Sequence, residues 1–143
     1  MKVILVSDPN AEYSAASLDV GIGNLHAPKE FNGLATFLQH MILNGSKKFP
    51  DKKKTDQFLT KHNGNFNAYS GLDNTNYTLK IEHSGFEEGI ERFVNFFVSP
   101  LFNEDNKDRT LKSIHHKFKA SLIDDEWKHL NLWMQLSNPS SVT

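Results

Sequence analysis

The sequence predicts an α+β fold, an antiparallel sheet with helices packed on one of its faces. Residues 15–22 and 76–82 alternate apolar and polar side chains with the period of two of a half-buried strand. Residues 85–98 instead repeat apolar residues at helical spacing, with Phe86, Ile90, Phe93, Val94 and Phe97 on one stripe. Strands dominate the first half and long helices the second, an order that suits helices layered on a sheet.

Each element has a local reason. Residues 2–7 read as a first strand, and residues 15–22 as a second that turns Leu18, Val20 and Ile22 to one face. Residues 24–32 form a loop containing Pro28. Asn32 is placed to cap the following helix, and Asn44-Gly45 to end it. Within that helix Leu34, Phe37, Leu38, Met41 and Ile42 make the expected buried side, with Thr36, Gln39 and His40 opposite. After a connector at 46–50, residues 51–62 read as a helix carrying Phe58 and Leu59 and closed by Asn63-Gly64. A hairpin follows: strand 65–70, turn 71–74, return strand 76–82 with Tyr77, Leu79 and Ile81 inward. Glu87, Glu88 and Glu91 complement the dipole at the start of helix 85–98, and Pro100 stops it. A long helix is expected over 103–123, a break at Asp124-Asp125, and a last helix over 126–136 bearing Trp127, Leu130, Trp133 and Met134. With no repeat and no linker, residues 1–137 read as one domain or part of one, and residues 138–143 as a polar tail expected to fray.

Composition narrows the function classes. A formal net charge of -1 over 143 residues gives no general attraction to nucleic acid or to anionic membranes. The absence of cysteine removes disulfides and thiolate metal sites. Val3-Ile4-Leu5-Val6 is far too short for a membrane span, so a soluble, cytoplasmic chain is expected.

The chemistry-bearing motif lies at Thr36-Phe37-Leu38-Gln39-His40. It resembles H-x-x-E-H, the inverted zinc motif in which two imidazoles one helical turn apart hold the metal and a carboxylate beside them activates water. Here Thr36 stands at the first His position, Gln39 at the Glu position, and only His40 matches. A hydroxyl is a poor zinc ligand, and a carboxamide has no proton site near neutral pH. A single imidazole reads equally as a hydrogen-bonded helix residue facing a groove.

The downstream order makes the resemblance specific. Gly45-Ser46-Lys47-Lys48-Phe49-Pro50, Asn67-Ala68-Tyr69-Ser70-Gly71, Asn74-Thr75-Asn76-Tyr77, Ser99-Pro100-Leu101-Phe102 and Lys107-Asp108-Arg109 follow the motif in series. This series is similar to the first domain of the insulysin branch of the pitrilysin family of zinc metallopeptidases, along nearly the whole chain. The resemblance implies a metallopeptidase-like fold of which this chain ends about midway, and a family cofactor, zinc. It also implies a third ligand, a Glu after a K-D-R-E run. Read without gaps, the run's Glu falls at Thr110 and the ligand at Lys117. A protonated ammonium has no lone pair and repels a dication. His115 and His116 precede Lys117 and are the remaining candidates for a replacement ligand.

The expectation is therefore a catalytically inactive homologue with no bound zinc. The alternative is a zinc metalloendopeptidase with a non-standard metal site. The resemblance also implies that Asn67, Ala68 and Tyr69 form a strand edge that pairs with an extended peptide, a mechanism that needs no metal. An ordinary hairpin strand explains the same residues. Expected partners are a peptide or protein, with a homo-oligomer or a longer family member possible, and neither nucleic acid nor membrane. Lys47, Lys48, Lys52, Lys53 and Lys54 form a basic cluster that reads as a solvated loop and helix start.

Overall fold

The computed structural model describes residues 1–31 and 33–136. Asn32, the tail 138–143 and the side chain of Met134 lie outside the described residues. The elements run β1 (Tyr13–Val20), α1 (Leu34–Ile42), α2 (Lys52–Lys61), β2 (Asn65–Ser70), β3 (Thr75–Glu82), α3 (Phe86–Val98), α4 (Glu104–Ser121) and α5 (Asp125–Leu136), with short 3₁₀ turns at Asn24–His26, Lys29–Phe31 and His83–Gly85.

The sheet is antiparallel in the order β1-β3-β2, so the hairpin's return strand is central and β2 lies at an edge. The register sets Leu18 opposite Tyr77, Ala16 opposite Leu79, and Phe66 opposite Leu79 on the other side. Tyr77, Leu79 and Ile81 of β3 are buried, while the intervening Asn76, Thr78 and Lys80 face away. The helices thus lie on one sheet face, as the alternation requires. Leu59, Tyr77, Leu79, Ile81 and Phe93 form the core centre. Aromatic edges lock α3 onto it: Tyr77 meets Phe97 at 4.9 Å and Phe66 meets Phe96 at 5.1 Å, both near perpendicular.

The helix ends follow local chemistry. Asp51 caps α2 by accepting from the Lys53 and Lys54 amides, and Asn103 caps α4 through the Asp105 amide. Asp124 does the same for α5, which is why the chain breaks there. Asn63 closes α2 in the left-handed region at φ 48°, allowing the Gly64 amide to bond the Leu59 carbonyl at 2.8 Å.

Four expectations are corrected. Residues 2–7 form no strand and are exposed. Their backbone finds no partner because β1 pairs only with β3 among the described residues. Ile22 is exposed just beyond the end of β1. On α3 Phe86, Ile90, Phe93 and Phe97 face the core as expected, Gly89 and Phe96 join the buried side, and Val94 alone of the expected stripe points outward. Gly89 sets this approach, since a Cβ there would stand 3.2 Å from Ile81 Cδ1, and its absence lets helix and sheet come close. On α1, Leu34 and Leu38 are 42% and 44% exposed, whereas Gln39 is only 5% exposed. This helix is packed on two sides, against β2 and against α4, so its buried arc is not its apolar stripe.

Candidate functional site

Of the residues singled out by sequence, Thr36, Gln39 and His40 lie on α1, and Thr110 of α4 is bonded to the end of that helix. Gly33 in the left-handed region (φ 86°) starts this helix, and its Cβ-free backbone allows the sharp entry. Thr36 is half-buried. Its hydroxyl donates to Asn24 Oδ1 at 3.1 Å. Asn24 Nδ2 in turn donates to the Ser70 carbonyl at 3.4 Å, so one asparagine ties α1 to the end of β2. Buried Gly23 holds that asparagine in place: a Cβ there would stand 2.5 Å from the Leu72 carbonyl.

His40 lies one turn beyond Thr36 and is half-buried. Its Nδ1 lies 2.9 Å from the Thr36 carbonyl. A carbonyl can only accept, so Nδ1 carries a proton and, in a neutral ring, Nε2 is the acceptor nitrogen. Gln39 packs inward beside it. Thr110, on α4, is buried, and its hydroxyl accepts from Asn44 Nδ2 at 3.2 Å. That bond joins the end of α1 to α4. Lys117 lies two turns further along α4 on the same side as Thr110 and is exposed. His115 and His116 are exposed as well. Among the described residues no three His, Cys, Asp or Glu side chains are grouped so as to hold a metal ion.

β2 presents a different chemistry. Asn65, Asn67 and Tyr69 turn outward from the core, and Phe66 and Ala68 turn inward. The Ala68 amide does not serve the ladder; it donates to Asn67 Oδ1 at 2.9 Å. It therefore points to the open edge, where the alternate N–H and C=O groups of an edge strand are available to a further strand. Sequence reading named Asn67, Ala68 and Tyr69 but missed Asn24, which sits in an irregular loop with no periodic signal.

The basic cluster is exposed, and Lys48 pairs with Glu91. Nearby, the Arg92 guanidinium is sandwiched between Phe49 and Phe58, at 4.3 and 4.6 Å from the ring centroids, and bonds Thr55 and Glu88. This holds the 46–50 connector and α2 onto α3 and is structural. Among the described residues the one titratable group clearly displaced is the Tyr77 phenol, which burial pushes up.

A three-stranded antiparallel sheet with an edge strand beside α1 and helices on one face is a metallopeptidase-type scaffold. The chain belongs to the insulinase family, peptidase family M16, whose family model matches residues 2–138. It is 40% identical over 138 residues to the A-factor-processing enzyme of Saccharomyces cerevisiae, covering 96% of this chain and 13% of that protein. It is 37% identical over 139 residues to human insulin-degrading enzyme, covering 97% of this chain and 14% of that one. The fold is similar to the crystal structure of pitrilysin with a TM-score of 0.75 and 30% identity, over 80% of this chain and 12% of that chain. The chain thus spans 13–14% of the length of these two curated relatives. Among the described residues no helix is long and apolar enough to cross a membrane.

Proposed function

We propose that this chain is a catalytically silent member of the family, keeping the scaffold and a peptide-docking strand without the metal chemistry. The observation that carries this reading is the commitment of Thr36, at the position aligned with the first ligand, to structural bonding with Asn24. The other aligned positions agree with it. Gln39 offers a buried amide in place of a base, Thr110 bonds Asn44, and Lys117 offers an ammonium in place of a ligand. The donors at these positions do not fit zinc, since a stable protein site needs at least three good ligands and His40 alone qualifies.

The open edge of β2 supplies the remaining activity. An extended peptide would pair with the backbone between Phe66 and Ser70, its affinity resting on main-chain bonds and its selectivity on contacts with Asn67 and Tyr69. The partner is a peptide or protein segment, with a second copy or a longer family member as a further associate, in the cytoplasm. The zinc-endopeptidase alternative keeps one supporting feature, the bond from His40 Nδ1 to the Thr36 carbonyl, which orients the ring as a metal-ligating imidazole is commonly oriented.

The test is metal analysis of protein purified without a metal-affinity tag, together with cleavage assays on unstructured peptides. The expected result is much less than one zinc per chain and no chelator-sensitive cleavage, with measurable peptide binding. About one tightly held zinc per chain with chelator-sensitive turnover would establish the alternative.

A further inference from the structure

We infer that the outward edge of β2 is gated by two carboxamides. Asn67 caps it as a displaceable stand-in for a bound peptide, and Asn24 fixes where that peptide must stop. The inference rests on the peptide-docking reading above and sets which backbone atoms of the strand a peptide can use. The hairpin decides which groups face outward. Its turn is closed by the Gly71 amide, which donates to the Asn74 carbonyl at 2.7 Å, so these two residues form a hydrogen-bonded pair. In an antiparallel ladder such pairs alternate with pairs that do not bond each other. Along the register, Asn65, Asn67 and Tyr69 therefore bond β3, and Phe66, Ala68 and Ser70 turn their N–H and C=O groups to the free edge. Two of these outward groups are already taken. The Ala68 amide donates to Asn67 Oδ1 at 2.9 Å, and the Ser70 carbonyl accepts from Asn24 Nδ2 at 3.4 Å. In each case a side-chain amide stands where the main-chain amide of an added strand would stand.

The two caps differ in what holds them. Asn67 is exposed, and among the described residues its carboxamide makes this bond alone. Rotation of its side chain frees the Ala68 amide. Asn24 is half-buried and held from three directions. Its Oδ1 accepts from Thr36 at 3.1 Å, its Nδ2 donates to Ser70, and its backbone amide donates to the Gly71 carbonyl at 3.0 Å. The Leu25 amide then donates to the Leu72 carbonyl at 2.9 Å, so this loop covers the chain beyond Ser70. A docking peptide displaces Asn67, pairs with the outward groups of Phe66 and Ala68, and ends before the Ser70 carbonyl. The occupant is an extended main chain, because both covered groups are matched by neutral amides. Bonds of this local kind also blunt an edge strand against unwanted pairing.

Nuclear magnetic resonance titration of the full chain with an uncharged peptide of alternating threonine and alanine tests this. Asn67→Ala should raise affinity by about two- to tenfold, the worth of one hydrogen bond that no longer competes. It should also speed hydrogen exchange at the Ala68 amide before peptide is added. Asn67→Asp keeps the shape and strengthens the acceptor, so it should lower affinity and slow that exchange. The side-chain amide signals of Asn24 should stay in place throughout. Affinity unchanged or lowered by Asn67→Ala, the same response from both variants, or Asn24 signals that move with peptide would each overturn the inference. Peptide binding that is indifferent to residue 67 sinks only this inference. Binding by neither the wild type nor Asn67→Ala removes the docking reading, and the gate with it.

Discussion

Restoring the aligned residues, Thr36→His, Gln39→Glu, Thr110→Glu and Lys117→Glu together, should return zinc binding if the scaffold holds those positions as proposed. The substitutions change the formal net charge from -1 to -5, since the first leaves it unchanged, the next two subtract one each and the last subtracts two. Without metal the variant should be weaker. Thr110→Glu breaks the 3.2 Å bond from Asn44 and overfills a site 8% exposed, for a loss of about 2–4 kcal/mol. Gln39→Glu puts a carboxyl where only 5% of the residue is exposed, and desolvation should raise its pKa above the unfolded value. A raised carboxyl pKa contributes stability that is fully present below the unfolded value and is lost as pH climbs through the folded one. The metal-free variant should therefore lose stability between about pH 4 and neutral. Zinc at a thousand times its dissociation constant adds about 4.1 kcal/mol, or about 10–15 °C in melting temperature for a chain of this size. Melting curves with and without zinc, plus metal analysis, read this out. The triple variant retaining Thr110 keeps the Asn44 bond and guards against simple misfolding. A folded triple variant that binds no zinc would refute the assignment of these positions.

Three further outcomes follow from the fold. Leu79→Ala, at a fully buried position on the central strand, should lower stability by about 2–5 kcal/mol in a urea titration. Ala68→Pro removes an amide that serves the open edge rather than the ladder, so peptide affinity should fall roughly five- to tenfold for the one lost bond while the far-ultraviolet spectrum is kept. Tyr77 titrates late because burial raises its pKa. Its contribution is present below the unfolded value of about 10 and is lost as pH rises further. Tyr77→Phe should therefore flatten the alkaline fall in stability, measured by denaturation from pH 9 to 11.

What sequence revealed depended on which interaction fixed each element. β2, β3 and α2 were legible nearly to the residue because alternation and an Asn-Gly stop are local signals. The close approach of α3 at Gly89, and with it the outward turn of Val94, was not, because glycine carries no hydropathy. Residues 2–7 have strand-forming side chains, but a strand exists only when a neighbour satisfies its backbone. Burial of Gln39 was equally hidden: it follows from α1 being enclosed by β2 and α4, a tertiary fact. At the candidate site the residue identities were visible, while the Asn24 bridge to Thr36 and Ser70 required the fold.

On the proposed alignment, the departures from the zinc motif are physically coupled. A carboxylate at position 39 is tolerable in a nearly closed site only while a cation neutralises it. Once a ligand is lost and the metal leaves, that carboxylate becomes a buried unpaired charge. Glutamine has nearly the same shape and no charge, so it keeps the packing and removes the penalty. On that reading, lysine at 117 meets no metal ion to repel it, and the position is exposed. Thr36 can serve Asn24 instead of a metal, which fastens α1 to β2. The core of Leu59, Tyr77, Leu79, Ile81 and Phe93 includes none of these positions, so the sheet and its open strand stand without the site. A scaffold whose stability and metal chemistry reside in different residues can lose one and retain the other, and on the proposed reading the side chains at 36, 39 and 117 are those that suit a metal-free state.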